Sequence, residues 1–568
     1  MKGNFKARAG FVYFLFLCVA VIISGRLFFV QIINGEYYDG LAKKQYNASG
    51  RNFNRGSIYF SDKDGSLMSA AAVKEDYQLV VYPKRITDAG KAYSGLSAVF
   101  EIGQKDFMAQ ASAEDAGRKV MAKKLSEEQA DEINRLKITG VAAEPDTYRY
   151  YPAENLASHA LGFVGYDGDK LVGRYGLEAR YDDLLNRDGG GNGFANSFTQ
   201  IFSDVKRLIA GNLGNGDIVT TMEPMAQSAL EKSLEKAIKK HKGEIAGGII
   251  LDPKTGEIIA MAAKPDFDPN NYSKVKDFSV FMNPNVESVF EMGSIMKPLT
   301  IAAAIDSGSI TASTTYEDKG FVDFKNARIK NYDGKARGFV NMQKVLDDSL
   351  NTGAVFAMQK TGKEKFLRYL LDFGLSEKTG VDLPREVSGK LSNLINGKND
   401  IEYATASFGQ GIAVTPLEIT VALSSLANGG VIMKPYIVKE EIVNGLKNRE
   451  NAPTESRQPI KKETAEEITK MLVNVVDKAL LQGQYKLDRY SVAAKTGTAQ
   501  IASSGGGYLE EEYLHTFFGY APAYNPKFLA FIYILKPQGV KYAAHSLTEP
   551  FMDITKFLLN YYEVPPDR

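Results

Sequence analysis

The sequence of 568 residues contains no tryptophan, four histidines and a single cysteine. The histidines are scattered and none stands at a metal-ligand spacing, so we expect no bound metal and no cofactor. One cysteine can form neither a thiolate zinc cluster nor an internal disulfide. An excess of charge is also missing: the net charge is +1, which provides no field for binding nucleic acid.

Long apolar runs are scarce as well, and the clearest one lies near the N-terminus. Residues 9–25 carry no charge, and after Arg26 the apolar sequence continues to Ile33. This length can span a bilayer, with Arg26 near one end extending its charge to the interface. Because basic residues occur among residues 1–8, the positive-inside rule predicts a cytoplasmic N-terminus at 1–8, a transmembrane anchor at 9–33 and the remainder outside.

A cleaved signal peptide is the alternative to an anchor. The sequence after the uncharged run, Gly25-Arg26-Leu27-Phe28, is a poor cleavage site, which favours an uncleaved single-pass anchor. The one cysteine, Cys18, lies within this segment, so the outer part contains no thiol. A part without thiols suits an oxidising compartment.

The organisation of the chain changes near residue 215. Residues 34–214 contain turn-rich segments, a helix-rich region at 104–137 and a glycine-rich loop at 188–192. Beyond 215, GGIILD-PKTG-EIIAMAA predicts a β-hairpin, and residues 447–462 predict a polar surface excursion. We therefore predict one domain at 34–214 and another at 215–568. In the first, Arg149, Arg174 and Glu178 are candidates for catalysis, but structural ion pairs are the stronger expectation.

The first candidate for chemistry is the pair Ser294 and Lys297 in the sequence GSIMKPLT. If a helix opens at Gly293, a spacing of three places both side chains on one face. A serine hydroxyl alone is a poor nucleophile, but a neutral lysine can accept its proton. The positive end of a helix also favours the negative charge that develops on the serine oxygen.

The same Ser-x-x-Lys spacing occurs at Ser203, Ser233 and Ser273. Such a match alone is usually a pair of solvated residues on a helix. Ser294 differs because a largely apolar helix, IMKPLTIAAAIDSG, follows it. This helix would place Lys297 beside a packed core, where desolvation lowers the pKa of an amine.

Two further polar motifs follow the serine. Ser349-Leu350-Asn351 is the one Ser-x-Asn in the chain. Lys-Thr-Gly occurs four times, at Lys254, Lys360, Lys378 and Lys495. The last follows a β-like apolar run, which predicts a strand that presents the motif along its edge. Glycine in that strand would let another backbone approach closely.

Ser-x-x-Lys, Ser-x-Asn and Lys-Thr-Gly are parts of serine enzymes that react with β-lactams and with their natural substrates. With SIMK, SLN and KTGT in this order, and with FGQGIAVTP and GYAP, the chain resembles the class B penicillin-binding proteins, which are peptidoglycan D,D-transpeptidases. The likeness extends from the anchor to the C-terminus. Met292 stands where family members commonly have proline, a change that removes no reactive group.

The resemblance implies an α/β (α+β) multidomain fold. Its parts would be an N-terminal membrane anchor helix, an elongated β-rich pedestal domain and a penicillin-binding (transpeptidase) domain. The segments RGSI, RYYP and GRYGLEARYDDLL resemble the non-catalytic, dimerisation-like pedestal, which would occupy 34–214. The transpeptidase domain at 215–568 would contain a central antiparallel sheet flanked by helices.

The resemblance also implies the catalytic roles. Ser294 would attack the penultimate D-Ala carbonyl of a stem pentapeptide and release the terminal D-Ala, with Lys297 as the base. Ser349 would relay the proton between the lysines and the leaving amine. Asn351 would orient the substrate amide, and Lys495 would add positive charge.

Substrate binding falls to the residues of the last motif. Thr496 and Thr498 would hold the substrate carboxylate, with Gly497 between them, and the N–H groups of Ser294 and Thr498 would form the oxyanion hole. An amine from a neighbouring stem peptide would then resolve the acyl-enzyme and close a cross-link. Penicillin and other β-lactams would acylate Ser294 in the same way, as covalent inhibitors.

The segments NTGAVF at 351–356 and GVDLP at 380–384 are more like the septal, cell-division branch than the elongation branch. In either branch, the resemblance implies a multi-pass membrane glycan polymerase and other cell-wall synthesis proteins as partners. It places the chain in the bacterial cytoplasmic membrane, with its bulk on the outer side.

Other functions are open on the sequence alone. A D,D-carboxypeptidase or β-lactamase-type hydrolase would use water to resolve the acyl-enzyme, although an anchor and a pedestal argue against it. A β-lactam sensor would need cytoplasmic machinery, which a short N-terminus does not provide. A non-catalytic scaffold would not need three motifs in order.

Overall fold

The computed structural model describes residues 53–113, 117–168, 170–186, 216–325, 327–397, 399–443, 446–503 and 505–568. These form two compact units, one containing Val73–Tyr148 and the other Arg55–Ala72 with Arg149–Arg568. The predicted anchor at 9–33, the loop at 188–192 and Ser203 lie outside the described residues. Among the helices within the described ranges, none combines the length and apolar character that crossing a bilayer requires.

The strands are numbered in chain order. They are β1 (Ile58–Ser61), β2 (Leu67–Val81), β3 (Lys119–Leu125), β4 (Val141–Tyr150), β5 (Val164–Asp167), β6 (Lys170–Gly173), β7 (Gly216–Thr220), β8 (Ile245–Leu251), β9 (Ile258–Lys264), β10 (Thr315–Asp318), β11 (Phe321–Phe324), β12 (Ala327–Lys330), β13 (Gly338–Asn341), β14 (Ile432–Met433), β15 (Val438–Val443), β16 (Leu446–Glu450), β17 (Glu455–Arg457), β18 (Ala493–Ala502), β19 (Tyr508–Ala521) and β20 (Phe528–Leu535).

The α-helices are numbered in the same way. They are α1 (Ala89–Ser97), α2 (Gln104–Ala111), α3 (Glu127–Arg135), α4 (Ser158–Leu161), α5 (Gly176–Arg180), α6 (Asp182–Leu185), α7 (Pro224–His241), α8 (Pro284–Glu287), α9 (Lys297–Asp306), α10 (Met342–Asp347), α11 (Asn351–Thr361), α12 (Lys363–Asp372), α13 (Ser392–Asn396), α14 (Asp400–Ala406), α15 (Pro416–Ala427), α16 (Lys462–Asn474) and α17 (Ala543–Tyr561).

The unit at 73–148 packs α1, α2 and α3 with strands around one apolar core that includes Leu96, Phe107 and Ile133. Helix α3 begins with a capping box, in which Ser126 and Gln129 each accept a backbone N–H of the other. The predicted helix-rich region at 104–137 is interrupted by β3, which pairs with β2. The two helices α2 and α3 agree with the prediction, whereas the strand was not predicted, because pairing with a neighbouring strand rather than local propensity makes this polar segment extended.

A buried ion cluster lies in the larger unit. Arg55 and Arg149 each donate to Glu178 at 2.6 Å, and Glu178 is fully buried. Burial alone would raise the pKa of Glu178, but the two guanidinium groups lower it below its ordinary value. Arg174 instead pairs with Asp167 at 3.3 Å on the surface. The expected structural ion pairs are therefore present.

The larger unit also contains a set of strands with mixed pairing. Strand β1 pairs parallel with β7, β7 pairs antiparallel with β15, and β15 pairs with β16. Strand β17 pairs separately with β14. The side chains described at 449–458 are mostly exposed, as predicted for a surface excursion, and the region also contains these short strands. Its polar sequence is that of edge strands, where charged side chains are tolerated.

A five-stranded antiparallel sheet forms the centre of the larger unit, in the order β18-β19-β20-β8-β9. The predicted hairpin is present as β8 and β9, and the expected central antiparallel sheet is confirmed. Along β20, alternate residues enter different cores: Phe528 and Ile532 enter one, and Leu529 and Phe531 the other. Both faces are therefore covered, as the continuous apolar sequence requires.

Helices cover the two faces of this sheet. Helices α7 and α17 share one core with the sheet, which includes Leu230 and Phe551. Helices α9, α15 and α16 belong to the other core, which includes Leu299 and Leu423. The short 3-10 turn that precedes α9, Gly293–Met296, packs beside β18, the strand that carries Lys495.

Candidate active site

Ser294 lies on a short 3-10 turn, Gly293–Met296, which leads directly into α9. Gly293 has a φ of +66°, which glycine adopts readily, and its N–H donates to the carbonyl of Gly409 at 3.0 Å. Side chains at i and i+3 of a 3-10 helix eclipse each other. The helix start predicted at Gly293 is thus a 3-10 turn that sets Ser294 directly beside Lys297.

The Lys297 amine is fully buried at the centre of a polar cluster. Its Nζ lies 2.9 Å from Ser294 Oγ, 2.9 Å from Asn351 Oδ1, and 2.5 and 3.2 Å from the carbonyl oxygen and Oγ of Ser349. Burial, and then the charge of Lys495, lower the pKa of Lys297 well below its ordinary value of 10.5. The amine is therefore suited to accept a proton.

Ser349 and Asn351 approach this amine from the junction between α10 and α11. Ser349 has a φ of +54°, a left-handed conformation, and the next residue, Leu350, donates its N–H to the carbonyl of Val345 at 3.0 Å. Asn351 is the first residue of α11, and its Nδ2 donates to the carbonyl of Lys330 at 2.9 Å. Because that carbonyl can only accept, Asn351 must turn Oδ1 toward Lys297.

Lys495 reaches the same cluster from β18. It is 3% exposed, and its Nζ donates to Ser349 Oγ at 3.1 Å and to the carbonyl of Thr496 at 3.0 Å. Burial lowers the pKa of Lys495 to about 8. Ser349 Oγ therefore lies between two amines of different basicity, Lys297 and Lys495.

Gly497 allows β18 to pack closely against the 3-10 turn. A Cβ at this position would lie 2.3 Å from Thr516 Oγ1 and 2.8 Å from the Met292 carbonyl oxygen. Thr516, the partner of Gly497 in β19, donates its hydroxyl to that carbonyl at 3.0 Å. Strand and turn are thus in direct backbone contact, as predicted for a glycine in this strand.

The two threonines of the motif are partly exposed, unlike the buried residues on either side of them. Thr498 Oγ1 accepts the N–H of Ala543, the first residue of α17, at 3.1 Å. A Cβ built on Gly293 would lie 3.0 Å from the carbonyl carbon and oxygen of Thr498. The backbones that carry the N–H groups of Ser294 and Thr498 therefore adjoin.

The other copies of these motifs lie in different surroundings. On α7, beside Ser233, the side chain of Lys236 is 55% exposed and pairs with Glu549 at 2.9 Å. Ser273 and Lys276 are both exposed. The remaining lysines of Lys-Thr-Gly are also exposed at their own sites, which are the β8–β9 turn for Lys254, the end of α11 for Lys360, and the segment after α12 for Lys378.

Two residues of the site's surroundings were missed in the sequence. Thr516 and His515 both lie on β19, opposite Gly497 and Thr498. Neither residue belongs to a recognisable sequence motif. The register of β18 against β19 would have identified them, but pairing register depends on the turn between the strands and on packing.

Family models match most of the chain. "Penicillin binding protein transpeptidase domain" matches residues 246–556, and "Penicillin-binding Protein dimerisation domain" matches residues 51–198. The chain is 31% identical to stage V sporulation protein D of Bacillus subtilis over 551 residues, covering 94% of this chain and 82% of that protein. It is 26% identical to peptidoglycan D,D-transpeptidase FtsI of Buchnera aphidicola over 566 residues, covering 98% and 94%.

The fold agrees with these relationships. Penicillin-binding protein 2X from Streptococcus thermophilus superposes with a TM-score of 0.72 at 20% identity, covering 90% of this chain and 80% of that one. The transpeptidase match alone spans more than half of the sequence, and it contains all three motifs. The chain therefore belongs to the class B penicillin-binding proteins, the family of peptidoglycan D,D-transpeptidases.

Proposed function

We propose that this chain is a serine D,D-transpeptidase that cross-links peptidoglycan stem peptides through an acyl-enzyme on Ser294. The observation that carries the proposal is the contact between the buried Lys297 amine and Ser294 Oγ at 2.9 Å. A buried amine with a lowered pKa beside a serine hydroxyl is an arrangement for making a nucleophile.

The neighbours of Lys297 determine which hydroxyl the lone pair of its nitrogen faces. A neutral amine has two N–H donors and one lone pair. The Ser349 carbonyl and Asn351 Oδ1 can only accept, so they take both donors. The lone pair is left for a hydroxyl, and Ser294 Oγ at 2.9 Å is nearer than Ser349 Oγ at 3.2 Å. Lys297 therefore accepts the Ser294 proton as its Oγ attacks the carbonyl.

Ser349 serves the leaving group. With a pKa of about 8, Lys495 is largely protonated at neutral pH and donates to Ser349 Oγ. The Ser349 hydroxyl then directs its own hydrogen toward the departing D-Ala amine, and Lys297 returns the proton through it. Asn351, in contact with Lys297, orients the substrate amide on this side of the site.

The strand β18 supplies the binding groups on the opposite side. The hydroxyls of Thr496 and Thr498, with the charge of Lys495 nearby, bind the terminal carboxylate of the substrate. The N–H groups of Ser294 and Thr498 bind the oxyanion. Support comes from the adjoining backbones of the turn and the strand, which Gly497 allows to approach each other.

The test is a cross-linking assay with the 568-residue chain and pentapeptide-bearing glycan strands. We expect D-Ala release and cross-linked product, both of which Ser294→Ala abolishes while the decoy variant Ser233→Ala retains them. Undiminished D-Ala release by Ser294→Ala contradicts the proposal. If tetrapeptide forms without cross-links, the chain is a carboxypeptidase instead.

We also propose the cellular setting. Residues 1–8 are cytoplasmic, 9–33 form a single-pass anchor in the bacterial cytoplasmic membrane, 34–214 form the pedestal and 215–568 the transpeptidase domain. The family models at 51–198 and 246–556 support this division. The partners are a multi-pass glycan polymerase and other cell-wall synthesis proteins.

A cysteine-labelling scan across residues 2–40 with a membrane-impermeant reagent tests the proposed topology. Labelling of a cysteine placed before residue 9 in intact cells contradicts it.

Within the cell we propose a septal role in division, supported by the segments at 351–356 and 380–384 and by similarity to an FtsI protein. Similarity to a stage V sporulation protein makes a sporulation role the second candidate. A fluorescent fusion separates them: accumulation at the division septum of growing cells supports the first, appearance only around developing spores supports the second, and lateral-wall signal supports elongation.

A further inference from the structure

A fully buried histidine lies one strand away from the proposed carboxylate-binding group. His515 is 0% exposed and pairs with Thr498 across β18 and β19. Its hydrogen bonds go to none of the groups that surround Lys297. Instead, its two nitrogens hold the segment in which α17 begins.

The partners of the ring fix its tautomer. Nε2 lies 3.0 Å from the carbonyl oxygen of Lys541, which can only accept, so Nε2 carries the hydrogen. Nδ1 is then an acceptor, and the Ser546 hydroxyl donates to it at 2.7 Å. Burial lowers the pKa of His515 to about 4, so the ring is neutral at physiological pH.

The two hydrogen-bond partners of the His515 ring, Lys541 and Ser546, lie on either side of Ala543, the residue that contacts Thr498. Lys541 precedes Ala543 by two residues, and Ser546 lies in the first turn of α17, of which Ala543 is the first residue. The Ala543 N–H donates to Thr498 Oγ1 at 3.1 Å. The ring of His515 therefore fixes the helix start on either side of its contact with Thr498.

The contact with Ala543 determines the hydrogen-bonding role of the Thr498 hydroxyl. Because Oγ1 already accepts an N–H, its own hydrogen is left to donate, and among the described residues none accepts it. The N–H comes from the positive end of a helix, which makes the hydroxyl a better donor to an anion.

We propose that His515 is a positioning residue for recognition of the substrate carboxylate, acting through the start of α17 on Thr498. The inference rests on the proposed function, in which Thr498 binds that carboxylate. It assigns the specificity for a free carboxylate partly to a residue that touches no substrate.

The rest of α17 is held independently of His515. The Phe551 ring stacks on the Phe517 ring with centroids 4.4 Å apart. It also packs against Gly519, where an added Cβ would lie only 2.6 Å from the Phe551 ring. Loss of the histidine should therefore loosen the first turn of α17 and leave the helix docked.

The experiment measures acylation of Ser294 in the 568-residue chain by benzylpenicillin and by its methyl ester, which lacks the carboxylate. In His515→Leu we expect the ratio of the second-order rate constants for the acid and the ester to fall about tenfold. This fall corresponds to losing part of the free energy of one hydrogen bond to a charged group. His515→Gln keeps a donor for the Lys541 carbonyl and should restore most of the ratio. The control is His159→Leu, another buried histidine whose Nε2 lies 2.9 Å from a carbonyl oxygen, that of Val280.

Several outcomes overturn the inference. They are an unchanged ratio in His515→Leu, an equal fall of both rates, or the same fall in His159→Leu. If His515→Leu does not fold, Ser546→Ala removes the Nδ1 partner and should lower the ratio in the same direction, and an unchanged ratio there counts against the inference. The proposed function fails separately: its failure is an absence of covalent labelling at Ser294 in the unaltered chain.

Discussion

At the scale of single residues, the proposed chemistry depends on one amine, that of Lys297, whose surroundings serve two purposes. Burial of Lys297 disfavours its charge, and two acceptors without hydrogens, the Ser349 carbonyl and Asn351 Oδ1, direct its lone pair toward a hydroxyl. The residues themselves could be predicted from the order of the three motifs. Their geometry could not, since the left-handed φ of Ser349 and the 3-10 turn at Ser294 depend on packing.

Removal of the Lys297 amine should abolish most acylation. In Lys297→Gln we expect the rate constant for penicillin acylation of Ser294 to fall about 10²–10⁴-fold, the usual contribution of a general base. Stopped-flow fluorescence or timed labelling measures it. Lys236→Gln, at an exposed copy of the motif, is the matched control and should be unaffected. A fall of less than threefold in Lys297→Gln would show that another group accepts the proton.

The acylation rate should depend on pH through both lysines. It rises as Lys297 loses its proton, at a pH well below 10.5, and falls above about 8 as Lys495 loses its charge. Because the two amines interact, the apparent values belong to the pair. Arginine does not lose its proton in this range, so Lys495→Arg should remove the alkaline fall. A rate that in the unaltered chain continues to rise beyond pH 9 contradicts these assignments.

At the scale of secondary structure elements, the site forms where a turn, a helix junction and a strand edge meet. Strand β18 was predictable from its apolar sequence before the motif, and the helix after Ser294 from its apolar run. The close approach of β18 to the turn was indicated only by Gly497. The register that sets Thr516 and His515 opposite the motif could not be read from the sequence, because it depends on the turn between β18 and β19 and on packing.

A methyl group at Gly497 should separate the strand from the turn. In Gly497→Ala the new Cβ would meet Thr516 Oγ1 and the Met292 carbonyl, so we expect destabilisation of about 1–3 kcal/mol. Acylation should fall about 10²-fold because the site is displaced. Denaturant unfolding and labelling kinetics measure the two effects. Gly505→Ala, an exposed position of the same hairpin with 3.9 Å to its nearest contact, is the control and should change neither.

At the scale of the whole molecule, the central sheet with two helix-covered faces and the buried ion cluster are stabilising parts of the larger unit. The apolar strands and the hairpin were predictable from their sequences, and the central antiparallel sheet was expected from the family resemblance. The strands at 446–457 were not, because polar edge strands lack the alternation that identifies a strand. The cluster of Arg55, Arg149 and Glu178 was predictable as ion pairing, whereas its complete burial was not.

Breaking this cluster should affect stability and spare the chemistry. Arg149→Ala leaves the buried Glu178 with one guanidinium, so we expect a loss of about 3–5 kcal/mol in the free energy of unfolding. Acylation of the folded protein should be unchanged. The surface variant Arg174→Ala is the control and should unfold like the unaltered chain.

The lowered pKa of Glu178 also sets the direction in which stability depends on pH. The folded pKa of Glu178 lies below its unfolded value of about 4.5, so its contribution is complete above that pH and is lost as the pH falls through the folded value. Arg149→Ala should therefore weaken the loss of stability on acidification below pH 4.5. An identical acid dependence in the variant and the unaltered chain contradicts the assignment.

The most direct test of the central claim is the site of covalent attachment. The 568-residue chain is treated with benzylpenicillin, its intact mass is measured, and the adduct is located by peptide mapping. We predict one penicilloyl group per chain, on the peptide that contains Ser294, and none in Ser294→Ala. An adduct on another residue, or an equal adduct in Ser294→Ala, would contradict the assignment of Ser294 as the nucleophile.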